Sequence, residues 1–162
     1  MNLSFSEWSI FKKILSLLIL LLIIWLVWNA FFSINQATQE ILDLPEGSIN
    51  LVNNDGEEMT IDIKMGTSAT SFASVDEEVI KETVIYHTSP FPASATRVFE
   101  GAEVSYEVAR FDPEGKLMQI YEVAPDTNKT VEAEDTYQHT LIAYKGFFEE
   151  NNISVENETT IR

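Results

Sequence analysis

The chain has 162 residues, of which 45% are hydrophobic and 11% aromatic, with only 6 glycines and 5 prolines. This composition excludes a disordered, fibrous or low-complexity protein, and the length allows either one compact domain of ordinary size or a smaller domain plus an appendage. Ten basic residues against 26 acidic ones give a formal net charge of -16, which repels phosphate backbones and argues against a nucleic-acid partner. The absence of cysteine excludes disulfides, thiolate metal sites, cysteine nucleophiles and cysteine lipidation.

The first predicted element is a transmembrane helix over residues 13–33, behind a cytoplasmic tail of residues 1–12. Between Ile14 and Trp28 the sequence has no charged residue and one hydroxyl, so a helix here has no polar face. An apolar helix of about 20 residues is about 30 Å long, which matches the hydrocarbon core of a bilayer. A cleaved signal peptide is the competing interpretation, but its apolar region is usually about 7 to 15 residues and ends in small residues. Bulky rings end this stretch, which favours a retained anchor.

Charges and rings at the two ends of the helix predict its orientation. Lys12 and Lys13 precede it, and the first charged residues after it are acidic, so the positive-inside rule places the N-terminus in the cytoplasm. Trp8 at one end, with Trp25 and Trp28 at the other, suit the two interfacial belts of a bilayer. We therefore expect a single-pass protein of the cell membrane, in contact with the lipid bilayer, whose C-terminal part is extracytoplasmic.

Residues 34–46 are predicted to form a stalk. Apolar residues recur there at near-helical spacing, so the helix can continue to about Leu42 before Pro45 and Gly47 end it. Most acidic residues follow the helix, which is typical of a solvated outer surface. Three N-x-[ST] sequons in this outer part become glycosylation sites if the host has the machinery, while a fourth, at Asn2, is cytoplasmic. The outer sequons are at Asn128, Asn152 and Asn157.

From Gly47 onward the pattern changes to short strands, and residues 47–162 are predicted to form one extracytoplasmic β domain. Apolar residues from Met59 to Met65 alternate with polar ones, which indicates a half-buried strand. The sequences at Asn53–Gly56 and Asp112–Gly115 supply the residues that tight turns need. Further strands are predicted over 48–53, 84–87, 104–109, 117–123, 137–144 and, more weakly, 154–161, with one or two helical turns over 146–152. This pattern predicts a mostly β fold, a small sandwich or barrel-like domain behind one N-terminal transmembrane helix.

Two stretches carry a resemblance to a known family: FDPEGKLMQIYEVAP at residues 111–125 and YQHTLIAYKGFFEENNIS at residues 137–154. The acid-x-x-glycine turn at Asp112–Gly115, the alanine–proline exit at 124–125 and the step from Leu141 to a short helix led by Gly146 resemble the domain-of-unknown-function family numbered 192. That family consists of small exported or membrane-anchored proteins of bacteria and archaea. The resemblance covers most of residues 47–161 and implies a compact, mostly β fold with no known activity.

The chain departs from that family's pattern at its polar positions. A lysine–asparagine–threonine entry is replaced by EGAE at residues 100–103, a leucine–aspartate pair by Tyr106–Glu107, and a glutamate by Ile142. If the family's polar residues form a site, the resemblance implies that Glu107 alone preserves one of its groups.

Few residues are candidates for chemistry. The sequence has no phosphate-binding loop, nucleophile elbow, zinc-helix motif or complete Ca²⁺ loop. His87 and His139 lie in predicted strands and, with Glu107, form a candidate polar cluster that could bind a metal or move protons if the strands bring them together. The alternative is two separate histidines with local hydrogen bonds. The acidic run at residues 76–78 could hold a weakly bound hard cation, but the favoured interpretation is solvated loop charge. We assign no catalytic residue, metal or cofactor from the sequence.

Two classes of function remain. The favoured one is a non-catalytic accessory or structural subunit of a membrane protein complex, whose helix and outer domain dock on another integral membrane protein. The alternative is an extracytoplasmic small-ligand-binding or metal-dependent enzyme domain. A pocket with convergent polar groups around Glu107, His87 and His139 would favour that alternative.

Overall fold

The computed structural model describes residues 10–94, 96–132, 136–155 and 159–161. The helices are α1 (Ile10–Leu42), α2 (Glu77–Glu82) and α3 (Phe147–Glu150). The strands are β1 (Glu46–Val52), β2 (Glu58–Met65), β3 (Ile85–Ala93), β4 (Arg97–Phe99), β5 (Tyr106–Phe111), β6 (Leu117–Val123), β7 (Lys129–Val131), β8 (Tyr137–Tyr144) and β9 (Thr160–Ile161). The interface residue Trp8 and the sequons at Asn2 and Asn157 lie outside the described residues.

Helix α1 is one unbroken helix of 33 residues. None of the 18 residues from Lys12 to Asn29 is buried inside the protein, and this segment is long and apolar enough to cross a membrane. The C-terminal part of the helix behaves differently, because Ile41 and Thr38 are buried against the β domain. The segment predicted as a stalk is therefore helical up to Leu42 and packs on the domain at its end.

A lysine of the neighbouring sheet caps the end of α1. The ammonium of Lys64 donates to the carbonyl oxygens of Leu42 at 2.9 Å and Leu44 at 3.5 Å, and it pairs with Glu46 at 3.0 Å. The last turn of α1 has no basic residue of its own. Lys64 therefore supplies the positive charge that stabilises a helix C-terminus, and it ties the helix to β2.

The main sheet has seven strands in the order β6-β5-β8-β3-β2-β1-β9, and it is curled into a half-barrel. Its paired strands are antiparallel except β2 and β3, which are parallel. The two predicted hairpins are present, and their turns contain Gly56 and Gly115 with φ of 78° and 84°. A side chain at Gly115 would also approach the carbonyl oxygen of Ile161 to 2.5 Å, so this turn requires glycine. The mostly β fold class is confirmed.

Both faces of the main sheet are buried. The apolar face is lined by one set of alternating strand residues and closed by the two phenylalanines of α3: Ile49, Leu51, Ile63, Tyr86, Ala109, Phe111, Leu141, Ala143, Phe147 and Phe148. The opposite face, called the mixed face below, carries the other set and is covered by the end of α1, by α2 and by the two-stranded sheet β4–β7. Its apolar members include Ile85, Tyr106, Val108, Val123 and Ile142, packed against Ile41, Phe72, Val75, Ile80, Phe99 and Val131.

Three features differ from the sequence predictions. The acidic run at residues 76–78 is not a loop, because Glu77 and Glu78 form the first turn of α2, where negative charge is favourable. The small sheet β4–β7 was not predicted, since each of its strands has only three residues. Of the weak last strand predicted over 154–161, Ser154 and Val155 lie outside a strand and β9, Thr160–Ile161, pairs with the end of β1, while residues 156–158 are not among the described ones.

Candidate functional site

The structure does not bring the three residues of the predicted polar cluster together. His87 on β3 pairs with Thr140 on β8 and lies on the mixed face, whereas His139 pairs with Thr88 and Phe111 and lies on the apolar face. Glu107 shares the apolar face with His139 but is four residues away along β5, a separation of about 13 Å. The strands were predicted from the sequence, but the register that separates the two histidines was not.

Glu107 supports the short helix α3. Its Oε2 atom accepts a hydrogen bond from the backbone N–H of Gly146 at 3.2 Å. Burial raises the pKa of the Glu107 carboxyl, while backbone N–H groups of Gly146 and Phe148 oppose this shift. The carboxyl also lines an open cleft of about 370 Å³ together with Asn54, Glu149 and other residues. Its observed contacts are those of a group that anchors the start of α3.

His139 has a local partner. Its Nδ1 atom lies 2.7 Å from the hydroxyl of Tyr86, and the two rings are nearly parallel, with 11° between their planes. Burial lowers the pKa of the His139 imidazole, and Asp112 is among the groups that oppose this shift. This arrangement corresponds to the locally hydrogen-bonded histidine that the sequence left open. In the parts of the chain that the structure describes, no group of three or more histidine, aspartate or glutamate residues is placed to hold a metal ion.

The membrane-interface residues lie on α1. Trp25 and Trp28 are exposed, as is Lys12, and Lys13 is partly exposed. Of the sequons, Asn128 is exposed before β7, and Asn152 is exposed in the turn after α3 with its side chain bonded to Asp55.

A different set of polar residues does converge, on the mixed face. Arg110 on β5 lies directly opposite Gln119 on β6 and Thr140 on β8, and Thr140 lies directly opposite His87 on β3. Residues directly opposite in neighbouring strands point to the same face. Gln119, Arg110, Thr140 and His87 therefore form one continuous line across four strands, which we call the polar row.

Arg110 is the most unusual member of the polar row. It is only 2% exposed, and none of its three guanidinium nitrogens has a hydrogen-bond partner among the residues that the structure describes. The neighbouring hydroxyl of Thr140, in a residue that is 1% exposed, has none either. The guanidinium carbon lies 4.1 Å from the ring centre of Tyr137, so the main contact that offsets its charge is a cation–π contact.

A second arginine lies close to the polar row. Arg97 on β4 donates to the carbonyl oxygen of Thr70 at 2.9 Å and covers the ring of Phe99. Burial lowers the pKa of the Arg97 guanidinium, and the positive charge of Arg110 adds to this shift. Burial and the charge of Arg97 also lower the pKa of His87, so its imidazole is held neutral. The mixed face thus contains a cationic cluster in a strongly acidic protein.

Sequence reasoning missed this cluster, although one signal was present. Tyr106 and Val108 are alternate residues of the strand predicted over 104–109, and the next position in their series is Arg110. A charged residue that continues an inward-facing series is rare without a partner. The nearby Arg97 had no such signal, because its strand was not predicted.

Comparisons with known proteins bear on the fold alone. No family model matches the chain, and no curated protein matches it. Two crystal structures are similar, each with a TM-score of 0.61 over 74% of this chain. One is a protein of Sinorhizobium meliloti 1021 provisionally described as a transcription regulator, with 8% identity over 94% of its length. The other is a protein of unknown function from Novosphingobium aromaticivorans DSM 12444, with 11% identity over 86% of its length. At these identities the likeness establishes a shared fold and no shared activity.

Proposed function

We propose that the chain is a single-pass membrane protein that acts as a non-catalytic accessory or structural subunit of a membrane protein complex. The observation that carries this proposal is the division of α1 into two parts. The segment from Lys12 to Asn29 is apolar and exposed on all sides, while the end of the same helix is packed into the β domain. A helical segment with no polar face, which packs on none of the described residues, needs a lipid or protein environment.

The junction between helix and domain supports a role based on contact. Ile41 is in the core of the mixed face, the hydroxyl of Thr38 accepts from the N–H of Asp76 at 3.0 Å, and Lys64 caps the helix end. The 33 residues of α1 extend about 50 Å, more than the roughly 30 Å of a hydrocarbon core, so part of the helix emerges from the bilayer. A partner in the same membrane would therefore meet the helix and the domain as one fixed surface.

The proposed orientation places the β domain outside the cytoplasm. It rests on Lys12 and Lys13 before the apolar segment and on the acidic residues after it. The strongly acidic outer part is suited to contact with the basic surface of a partner, which would give a salt-sensitive association.

We also propose that the β domain is a divergent member of the domain-of-unknown-function family numbered 192. The two glycines of the resemblance, Gly115 and Gly146, both have a left-handed backbone, with φ of 84° and 97°. Gly146 leads α3, and Glu107, the one polar group of the family that the resemblance preserves, bonds to its N–H. The backbone conformation of the two glycines and the hydrogen bond of Glu107 explain why the fold needs these residue types at these positions.

The alternative, a ligand-binding or metal-dependent enzyme domain around Glu107, His87 and His139, has less support. The two histidines lie on opposite faces of the sheet, and Glu107 is bonded to the start of α3. A reaction that needs all three groups at one point has no common site here.

A single charge in the apolar helix tests the anchor. Leu21→Arg should remove the protein from the membrane fraction, because a charge at the helix centre costs about 2.5 to 3.5 kcal/mol on insertion scales. Leu21→Phe is the matched control and should insert normally. The measurement is resistance of the membrane-bound protein to alkaline carbonate, with protease added to intact cells to report orientation. Extraction of the unsubstituted protein by carbonate, or a mature chain that begins near Ala30, would contradict the anchor.

The same variants test the role as a subunit. After extraction in a mild detergent, the unsubstituted protein and Leu21→Phe should elute as a complex whose mass exceeds that of one chain in its micelle. Ala replacements of both His87 and His139 should leave that complex intact. Stoichiometric metal in the unsubstituted protein that disappears in the double variant, together with loss of function, would favour the metal-dependent alternative.

A further inference from the structure

We propose that the polar row of the mixed face binds a compact oxyanion, a carboxylate or phosphate group. Arg110 is its main ligand, and Thr140, Arg97 and His87 are further donors. This inference concerns a binding site and goes beyond the proposed role of the protein as a membrane-anchored subunit.

The first argument is the uncompensated charge of Arg110. A guanidinium stays charged inside proteins and carries five N–H donors. The ring of Tyr137 attracts the charge but does not replace the acceptors that these donors need. A buried charge whose partner is missing is strongly destabilising, so a fold that retains Arg110 at 2% exposure must gain an acceptor from elsewhere.

The second argument is the kind of group that is missing. Among the described residues, neither Arg110 nor Arg97 has a carboxylate within 4.0 Å, although the chain has 26 acidic residues. Gln119 carries an amide that both donates and accepts, and its Oε1 atom already accepts from the hydroxyl of Tyr121. The other groups of the row and its surroundings can all donate: two guanidinium groups, the hydroxyl of Thr140 and the imidazole of His87. The planar fork of arginine matches the two oxygens of a carboxylate or phosphate. Convergent donors with two positive charges specify an anion and exclude a metal cation.

The third argument concerns size and entry. The two-stranded sheet β4–β7 has three residue pairs and packs on the mixed face through Phe99 and Val131, and Arg97 belongs to this sheet. The adjacent strand β3 has a register shift between Thr88 and Ala93, beside the row. Because Arg110 is almost fully covered, the ligand must be small, and it enters by displacement of this cover. The acidic surface repels anions in general, which makes this buried cationic site selective.

The test is the thermal stability of the full-length protein in a non-ionic detergent, measured by circular dichroism in three salts. Sodium acetate and inorganic phosphate are compared with sodium chloride at equal ionic strength and pH 7.5. At saturation we expect at least one oxyanion to raise the melting temperature by about 5 °C over chloride, because a ligand that binds only the folded state stabilises it. The salt that is effective distinguishes a carboxylate ligand from a phosphate ligand.

Two variants make the result specific. Arg110→Met should lose the oxyanion-dependent rise, and in chloride it should melt at or above the temperature of the unsubstituted protein. Lys81→Met removes an exposed cation that pairs with Glu77, and it should keep the rise. No rise in the unsubstituted protein, or an equal rise in Arg110→Met, would overturn the proposal.

A direct measurement covers the case in which Arg110→Met does not fold. Calorimetric titration of the unsubstituted protein with acetate and with phosphate should give one site per chain, about 5-fold weaker in Thr140→Val. Absence of binding would contradict the proposal.

Discussion

The two faces of the main sheet are built from alternate residues of the same strands, yet they differ in what they bury. On the apolar face, the central strands place Ala109, Phe111, Leu141 and Ala143, and α3 closes the cluster with two more phenylalanines. On the mixed face, the same strands place apolar residues and then Arg110, flanked by Thr140.

This difference indicates which face is built for stability alone. Close apolar packing needs no further group, and the cover of the apolar face belongs to the same domain core. The mixed face buries the charge of Arg110 and the hydroxyl of Thr140 with no hydrogen-bond partner in the described part of the chain, and this burial costs free energy that packing alone would not demand. Natural proteins tend to accept such costs where a residue has another role.

The largest expected effect is on the apolar face. Leu141→Ala should lower the free energy of unfolding by about 3 to 5 kcal/mol, because a fully buried leucine leaves a cavity when truncated. Denaturant unfolding of the full-length protein, followed by strand circular dichroism, measures the change. Val98→Ala, on an exposed side chain of β4, is the control and should change stability by less than about 0.5 kcal/mol. A loss below about 1 kcal/mol at Leu141 would show that this face is loosely packed.

Local sequence patterns were sufficient to predict most of the elements that create the two faces. The alternation from Met59 to Met65 and the turn at Asp112–Gly115 depend only on neighbouring residues, and both are confirmed. The apolar run that forms α1 is equally local. The short elements α2, β4 and β7 were missed because three to six residues carry too little pattern.

The candidate site could not be predicted in the same way, because it depends on register between strands far apart in the chain. His87 and His139 were both predicted in strands, but a pairing that places Thr140 opposite His87 sends the two rings to opposite faces. Arg110 lies in a predicted hairpin, and its burial was indicated only by its place two residues after Val108, in the same alternating series. Arg97 lies near Arg110 only because of the way β4 packs on the main sheet, and the residues around Arg97 in the sequence do not determine that packing.

An intermediate effect of opposite sign is expected on the mixed face. Thr140→Val should raise the free energy of unfolding by about 1 kcal/mol in chloride, because it replaces a buried hydroxyl without a partner by a methyl group of similar shape. Thr38→Val is the matched control: its hydroxyl accepts from Asp76, so the same change should cost about 1 kcal/mol. The measurement is the same denaturant unfolding. Loss of stability in both variants would contradict the distinction between the two hydroxyls.

The smallest expected effect is a pH dependence that His87 adds to the mixed face. Burial and the charge of Arg97 lower the pKa of His87 in the folded protein, below the ordinary value of about 6.5 that applies when unfolded. As the pH falls below that value, the unfolded chain takes up a proton before the folded chain does, so this contribution to stability is complete above about pH 6.5 and decreases in acid. His87→Asn should therefore show a shallower loss of stability between pH 7 and pH 5 than the unsubstituted protein.

His139→Asn provides the comparison for the apolar face. Burial lowers the pKa of His139 too, but Asp112 and a backbone group oppose the shift, whereas Arg97 reinforces it at His87. The change in pH slope should therefore be larger for His87→Asn than for His139→Asn. Over the range from pH 7 to pH 5, each substitution should change the free energy of unfolding by less than Thr140→Val does, because each imidazole is partly exposed and screened by solvent. Denaturant unfolding at several pH values gives the slopes. A steeper loss of stability in acid for His87→Asn would mean that the His87 imidazole is stabilised as a cation in the folded protein. That outcome would contradict the placement of the Arg97 charge beside it.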